Sequence, residues 1–314
     1  MARIGELVAY PVKSLDGVVV DRASVGTAGA LRGDRSYAFV EAGVDPNTAS
    51  VGGGGGYVNG KSEPAIHRIR ASYALAGETD ATPTAVTLRR PERDGTPADE
   101  RTFDLPDDRS VIESWMGDYL GYPVDLVREP HGGFPDDREA TGPTVVSAAT
   151  LSAFASWFDG VADATEARRR LRPNVVVADV PAFWEDRLFA DRDSRVRFSI
   201  DGVDLLGVNP CQRCVVPSRH PDTGAEHPDF RETFLRKRRE TMPDWSGGDW
   251  FDHDFRLMVN TVVPETSWGS AVAVDDPVRI GDRVPLDAGG PGDTVDTDDT
   301  VDTDDTDEPE VTGS

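Results

Sequence analysis

Short segments rich in Val and Tyr, bounded by Gly, Pro and Asp, recur from Ile4 to Leu286 and constrain this chain more than any other feature. Residues 4–10, 18–25, 36–40, 66–75, 124–127, 144–147, 175–177, 196–200, 203–208, 255–263 and 278–286 read as strands on that pattern. Helical spacing is confined to a few places. It predicts a helix over 108–120, with Val111, Ile112, Trp115, Met116, Tyr119 and Leu120 on one face and Gly121 as its stop. A second helix runs from about Thr150, with Leu151, Phe154 and Trp157 inward and Gly160 as its stop, and shorter ones fit 165–171 and 229–241. Residues 77–101, polar and dotted with proline, read as a loop or hairpin insertion. The fold class that follows is mixed α/β, predominantly β.

Composition divides the chain. Glycines, prolines and acids over 128–142 mark a boundary between a β-rich unit, 1–127, and a second unit, 128–286. From Asp287 the sequence turns into glycine and then the tandem repeat Val295–Thr300 and Val301–Thr306. Low hydrophobicity and like charge cannot support a core, so 287–314 is expected to be a disordered acidic tail. With 57 acidic against 33 basic residues the formal charge is −24, which argues against nucleic acid or an anionic membrane as partner. Lys13, Lys61 and Lys237 are the only lysines, and so acidic a surface suggests a protein kept soluble at very high salt, from a halophilic source. No run of 18 apolar residues exists and the first ten residues lack an apolar signal core, so a cytoplasmic location with reduced thiols is expected. The basic cluster Arg231, Arg236, Lys237, Arg238 and Arg239 reads as a solvated, salt-bridged helix face, or as a docking face for an acidic redox partner.

Two cysteines in the whole chain stand three apart in Cys211-Gln212-Arg213-Cys214. Structural zinc needs four ligands, and there is no second pair; only His220 and His227 lie near. A dithiol redox centre prefers a helix N-terminus, and Val215-Val216-Pro217 does not start one. Both readings are thereby weakened; the others are one soft thiolate on a transition metal whose other ligands come from a cofactor, with Arg213 neutralising nearby anionic charge, and a buried structural pair. Gly55-Gly56-Tyr57-Val58-Asn59-Gly60-Lys61-Ser62 matches the phosphate-loop pattern, but without a preceding strand and a following helix it is not read as a nucleotide site.

An ordered set of short motifs adds a resemblance. Tyr10-Pro11-Val12-Lys13-Ser14, Gly33-Asp34-Arg35, Arg172-Pro173-Asn174, the cysteine motif and His220-Pro221-Asp222-Thr223-Gly224 together resemble the MOSC family, in the form with its own N-terminal β domain. The resemblance implies a MOSC β-barrel domain with flanking helices over 128–286, and bound molybdenum cofactor (molybdenum–molybdopterin). Pyridoxal phosphate is not expected. It implies Cys214 as the metal ligand and catalytic group, with Cys211 nearby and structural. Lys13, Ser14, Arg35 and Arg172 would receive the pterin phosphate, Asn174 and Arg213 the pterin, and Thr141 would assist. The activity implied is two-electron reduction of N-hydroxylated or other N-oxygenated small molecules, with electrons from a separate ferredoxin- or reductase-type donor; a non-catalytic cofactor or sulfur carrier using Cys214 is the alternative. Gly60-Lys61 stands where the family usually has Gln-Arg, and Ala140-Thr141 only loosely meets an expected Asp-Thr or Asp-Gly pair.

Overall fold

The computed structural model describes residues 1–46, 56–105, 107–246 and 253–286. The tail expected to be disordered lies outside the described residues, as do glycines 52–55. Strand outweighs helix, as the segment pattern implies. The chain opens with β1 (Arg3–Ala9) and returns as β2 (Val18–Val20). The single strand expected over 18–25 is split at Asp21, because β2 pairs with β1 whereas β3 (Arg22–Ser24) pairs with a strand near the other end of the chain. After β4 (Tyr37–Glu41), Pro64–Arg68 forms a 3-10 turn where a strand from Ile66 was expected. Pro64 has no amide to donate and its φ suits a helical first position, while the Glu63 carboxylate accepts from the Ala65 amide at 3.0 Å.

β5 (Arg70–Gly77), β6 (Asp80–Arg90) and β7 (Asp99–Asp104) form an antiparallel meander, so most of the polar 77–101 stretch is strand. Burial in β6 alternates at Ala81 and Pro83 and then, one phase later, at Val86, Leu88 and Arg90, leaving Thr84 and Arg89 outward. Helix α1 (Arg109–Leu120) buries Ile112, Trp115, Met116, Tyr119 and Leu120; Val111, expected on the same face, is exposed. It ends at Gly121, whose φ of 85° lets its amide donate to the Gly117 carbonyl at 2.8 Å. β8 (Val124–Arg128) pairs with β4.

The second half begins with β9 (Val145–Ser147), crosses over through α2 (Ala148–Ala155) and α3 (Ala164–Leu171), and returns parallel as β10 (Val175–Ala178). The Ser147 hydroxyl caps α2 by accepting from the Thr150 amide at 3.0 Å. The helix stops well short of Gly160, and Trp157, beyond its end, stacks on Phe183 with ring centres 6.0 Å apart. β11 (Ser194–Ile200) and β12 (Val203–Gln212) form a hairpin, followed by α4 (Phe230–Thr241), β13 (Arg256–Val262), β14 (Ala271–Ala273), which pairs with β3, and β15 (Val278–Pro285).

One eight-stranded sheet, in the order β15-β11-β12-β13-β9-β10-β1-β2, joins the first two strands of the chain to the second half. It curls until Arg3 and Pro277 form a single bridge, but no ladder closes it, so the closed barrel implied by the resemblance is not formed among the described residues. The reason is that Leu7–Ala9 already pair with β2 along the edge that closure would need. Below α4 the reading of a solvated basic face is corrected at one position. Arg238 is fully buried, donating to Asp186 Oδ1 at 2.6 Å and to the Arg256 carbonyl at 2.9 Å, while Arg239 and Lys237 pair at the surface with Asp254 and Glu240. No helix among the described residues is long and apolar enough to cross a membrane.

Candidate functional site

Lys13, Ser14, Arg35, Thr141, Arg172, Asn174, Arg213 and Cys214 all line one cleft of about 810 Å³. The loop after β1 supplies Lys13 and Ser14, the loop before β4 Arg35, the loop between β8 and β9 Thr141, the end of α3 Arg172, and the loop after β12 Arg213 and Cys214. Eleven basic side chains and five acidic ones line this cleft in a chain of net charge −24. The field inside therefore opposes that of the surface and selects an anion.

Backbone strain concentrates here. Ser14 (φ 70°), Arg35 (φ 50°), Arg172 (φ 58°) and Met258 (φ 75°) hold left-handed conformations that residues of these types rarely adopt, and all four line the cleft. Arg172 occupies the position after α3 where glycine usually ends a helix, so this helix end places a guanidinium instead of relieving strain.

The cations form an ordered wall. Lys13, only 6% exposed, donates from Nζ to the Phe134 carbonyl (2.9 Å) and to Asp136 Oδ1 (2.5 Å). Burial pushes its ammonium down, and Asp136 opposes that shift. Arg35 pairs with Asp34 and, through Nε, with Asp136 Oδ2 at 3.5 Å; burial is outweighed by these two carboxylates and its pKa rises. Although desolvation by the neighbouring protein would raise the Asp136 carboxyl, its side chain stays 61% exposed, and Lys13 and Arg35 hold it well below the usual carboxylate range. The guanidinium carbons of Arg35 and Arg172 lie 5.5 and 4.1 Å from the centre of the Tyr10 ring, and the Tyr10 hydroxyl donates to the Pro173 carbonyl at 3.1 Å. Arg172 donates to the Leu15 carbonyl at 2.7 Å and has no carboxylate partner among the described residues.

Asn174 is 2% exposed and its amide is saturated. Oδ1 accepts from the Thr144 amide and hydroxyl, both at 3.2 Å, while Nδ2 donates to the Val8 carbonyl and to Asp34 Oδ1, both at 3.1 Å. It clamps Asp34, and through it Arg35. Thr141 likewise uses its hydroxyl on the Ala28 carbonyl, fixing the loop that carries it.

Both thiols that line the cleft are unbridged. Arg213 Nη1 approaches Cys211 Sγ at 3.1 Å and its Nη2 donates to the Leu171 carbonyl at 2.9 Å; burial raises the Cys211 thiol, and Arg213 opposes that. The half-buried Cys214 sulfur makes no hydrogen bond among the described residues. Buried Nε atoms of Arg213 and Arg219 also lack a hydrogen-bond partner, and neither guanidinium meets a carboxylate there. Sequence reading missed several members of the wall. His67 is held neutral, its pKa lowered to about 4 by burial and then by Arg172 and Arg219; its Nε2–H points to the Gly60 carbonyl at 3.3 Å. A Cβ at position 60 would lie 2.5 Å from that ring, which explains the glycine. Lys61, Arg219 and Asp136 complete the set. Lys61 sits in the phosphate-loop match and Arg219 directly before the His220–Gly224 motif, whereas Asp136 sits in an acidic linker with no distinguishing signal.

Residues 1–123 match the family model of the MOSC N-terminal beta barrel domain. The chain carries a MOSC N-terminal domain. No curated protein matches it. MOSC domains are linked to the molybdenum cofactor and to sulfurase- and reductase-type proteins, some of them enzymes. The cleft that the MOSC N-terminal domain shares with the second half suits such a group chemically: it is lined by an uncommitted thiol and by cations able to hold a buried dianion. No three His, Cys, Asp or Glu side chains gather to hold a metal among the described residues, so a metal on Cys214 would take its other ligands from a cofactor.

Proposed function

We propose that this chain is a molybdenum-cofactor-dependent oxidoreductase that removes oxygen from N-hydroxylated or other N-oxygenated substrates, with electrons from a separate ferredoxin- or reductase-type donor. The observation that carries the reading is the Cys214 sulfur, uncommitted among the described residues, in a cleft where Arg172, Arg213 and Arg219 meet no carboxylate among those residues, although the chain is strongly acidic. Bound there, the cofactor would supply two-electron oxygen-atom transfer. Cys214 would be the protein's metal ligand. Lys13, Ser14, Arg35 and Arg172 would hold the terminal phosphate, Arg213 the pterin, and Asn174 would act by fixing Asp34 and Arg35. Loss of the oxygen as water consumes two electrons and two protons from outside the chain.

The half-buried position of Cys214 also suits a second reading, a module that carries cofactor or sulfur without turnover. Loaded protein given a model N-hydroxy substrate and a reduced artificial electron donor separates the two. Turnover lost in Cys214→Ser supports the enzyme, and stoichiometric cofactor without turnover supports the carrier.

A further inference from the structure

Two carboxylates face the Lys13–Arg35 pair, and they are built differently. Asp34 is 8% exposed, and its Oδ1 accepts from the Tyr10 amide (2.7 Å) and from Asn174 Nδ2 (3.1 Å), so it belongs to the framework. Asp136 has a side chain 61% exposed, and its side-chain partners are Lys13 and Arg35. The strap that carries it is fastened elsewhere. The Phe134 amide donates to the Arg35 carbonyl at 2.9 Å, the Phe134 ring packs edge-on to Tyr57, and Asp137 Oδ2 accepts from Asn260 Nδ2 at 3.2 Å. The Asp136 side chain can therefore swing away by bond rotation while the strap stays in place.

We infer that Asp136 competes with an incoming phosphoryl group for Lys13 and Arg35, and that this internal competitor makes the subsite selective for dianions over monoanions; the inference rests on reading Lys13 and Arg35 as the anion subsite of the proposed function. Lys13 is too deeply buried to stand without a counter-charge, so any anion binds there by exchange against a carboxylate. A monoanionic carboxylate replaces like with like and gains nothing. A phosphoryl group brings close to two negative charges and three acceptor oxygens, and can engage Lys13, Arg35 and Arg172 together. The displaced Asp136, already largely exposed, returns to solvent at little cost. Asp136 thus sets a threshold that a phosphoryl dianion passes and an acetate-like ligand does not.

The test is calorimetric titration of the full chain with inorganic phosphate and with acetate at pH 7.5. The inference requires that wild type bind phosphate and not acetate, and that Asp136→Asn bind phosphate about tenfold tighter and gain acetate binding. Thermal midpoints guard against a folding artefact: Asp136→Asn should melt lower than wild type without phosphate and gain more on its addition. Equal or weaker phosphate binding by Asp136→Asn, with binding abolished by Lys13→Gln, overturns the competition while leaving the subsite. Phosphate binding that survives Lys13→Gln places the subsite elsewhere and overturns both.

Discussion

Arg172 stands 4.1 Å above the centre of the Tyr10 ring, and Arg35 approaches the same ring at 5.5 Å. The ring attracts both guanidiniums, so it helps hold two like charges within reach of one ligand. Tyr10→Phe keeps the ring and loses the bond to the Pro173 carbonyl, which should cost about 1 kcal/mol of stability and leave phosphate affinity unchanged. Tyr10→Leu should weaken phosphate binding several-fold. Equal affinity in both variants would show that the ring does not order the cations.

Arg238 and Asp186 form a buried pair, the arginine fully enclosed. Removing one partner strands the other charge, so Arg238→Ala should destabilise the fold by about 3–5 kcal/mol, read as a shift in urea midpoint. By contrast, Arg236→Gln and Arg239→Gln at the surface should change stability little, since exposed pairs contribute under about 1 kcal/mol. If an acidic electron donor docks on this helix, the surface variants will raise its apparent KM. Comparable destabilisation by all three would contradict the burial argument.

Glu185 lies beside that pair with no exposed surface, and burial, followed by the nearby Asp186, raises its carboxyl to about 7. A carboxyl raised above its ordinary 4.5 binds its proton more tightly in the folded state, so stability falls as pH rises from 4.5 through 7. The sign is the reverse of a salt-bridged carboxylate. Glu185→Gln should therefore gain stability relative to wild type as pH rises, by roughly 3 kcal/mol at pH 8 compared with pH 4.5. A pH-independent difference between the two proteins would remove Glu185 as the titrating group.

The sequence was most legible where one physical signal dominated. Val175–Val177 reads as a buried strand because every side chain is apolar, and Gly121 ends α1 because only a left-handed residue closes that turn. β6 was hidden by Thr and Arg on its outward face. Arg238 was misread because helical spacing groups cations on a helix but cannot say that Asp186, 52 residues away, meets one of them in the core. In the cleft, residues inside compact motifs could be named beforehand, and they converge on one wall. Asp136 could not, since it is one of several acids in a linker and its importance comes from where the strap crosses Lys13.

The central claim is that Cys214 anchors a molybdenum cofactor in this cleft. Elemental analysis of protein purified from a host that makes the cofactor, comparing wild type, Cys211→Ser and Cys214→Ser, tests it most directly. The account predicts about one molybdenum per chain in wild type, little change in Cys211→Ser, and loss of the metal in Cys214→Ser with the thermal midpoint of the unloaded protein unchanged. Wild-type protein that carries neither molybdenum nor pterin, or full molybdenum retained by Cys214→Ser, would contradict it.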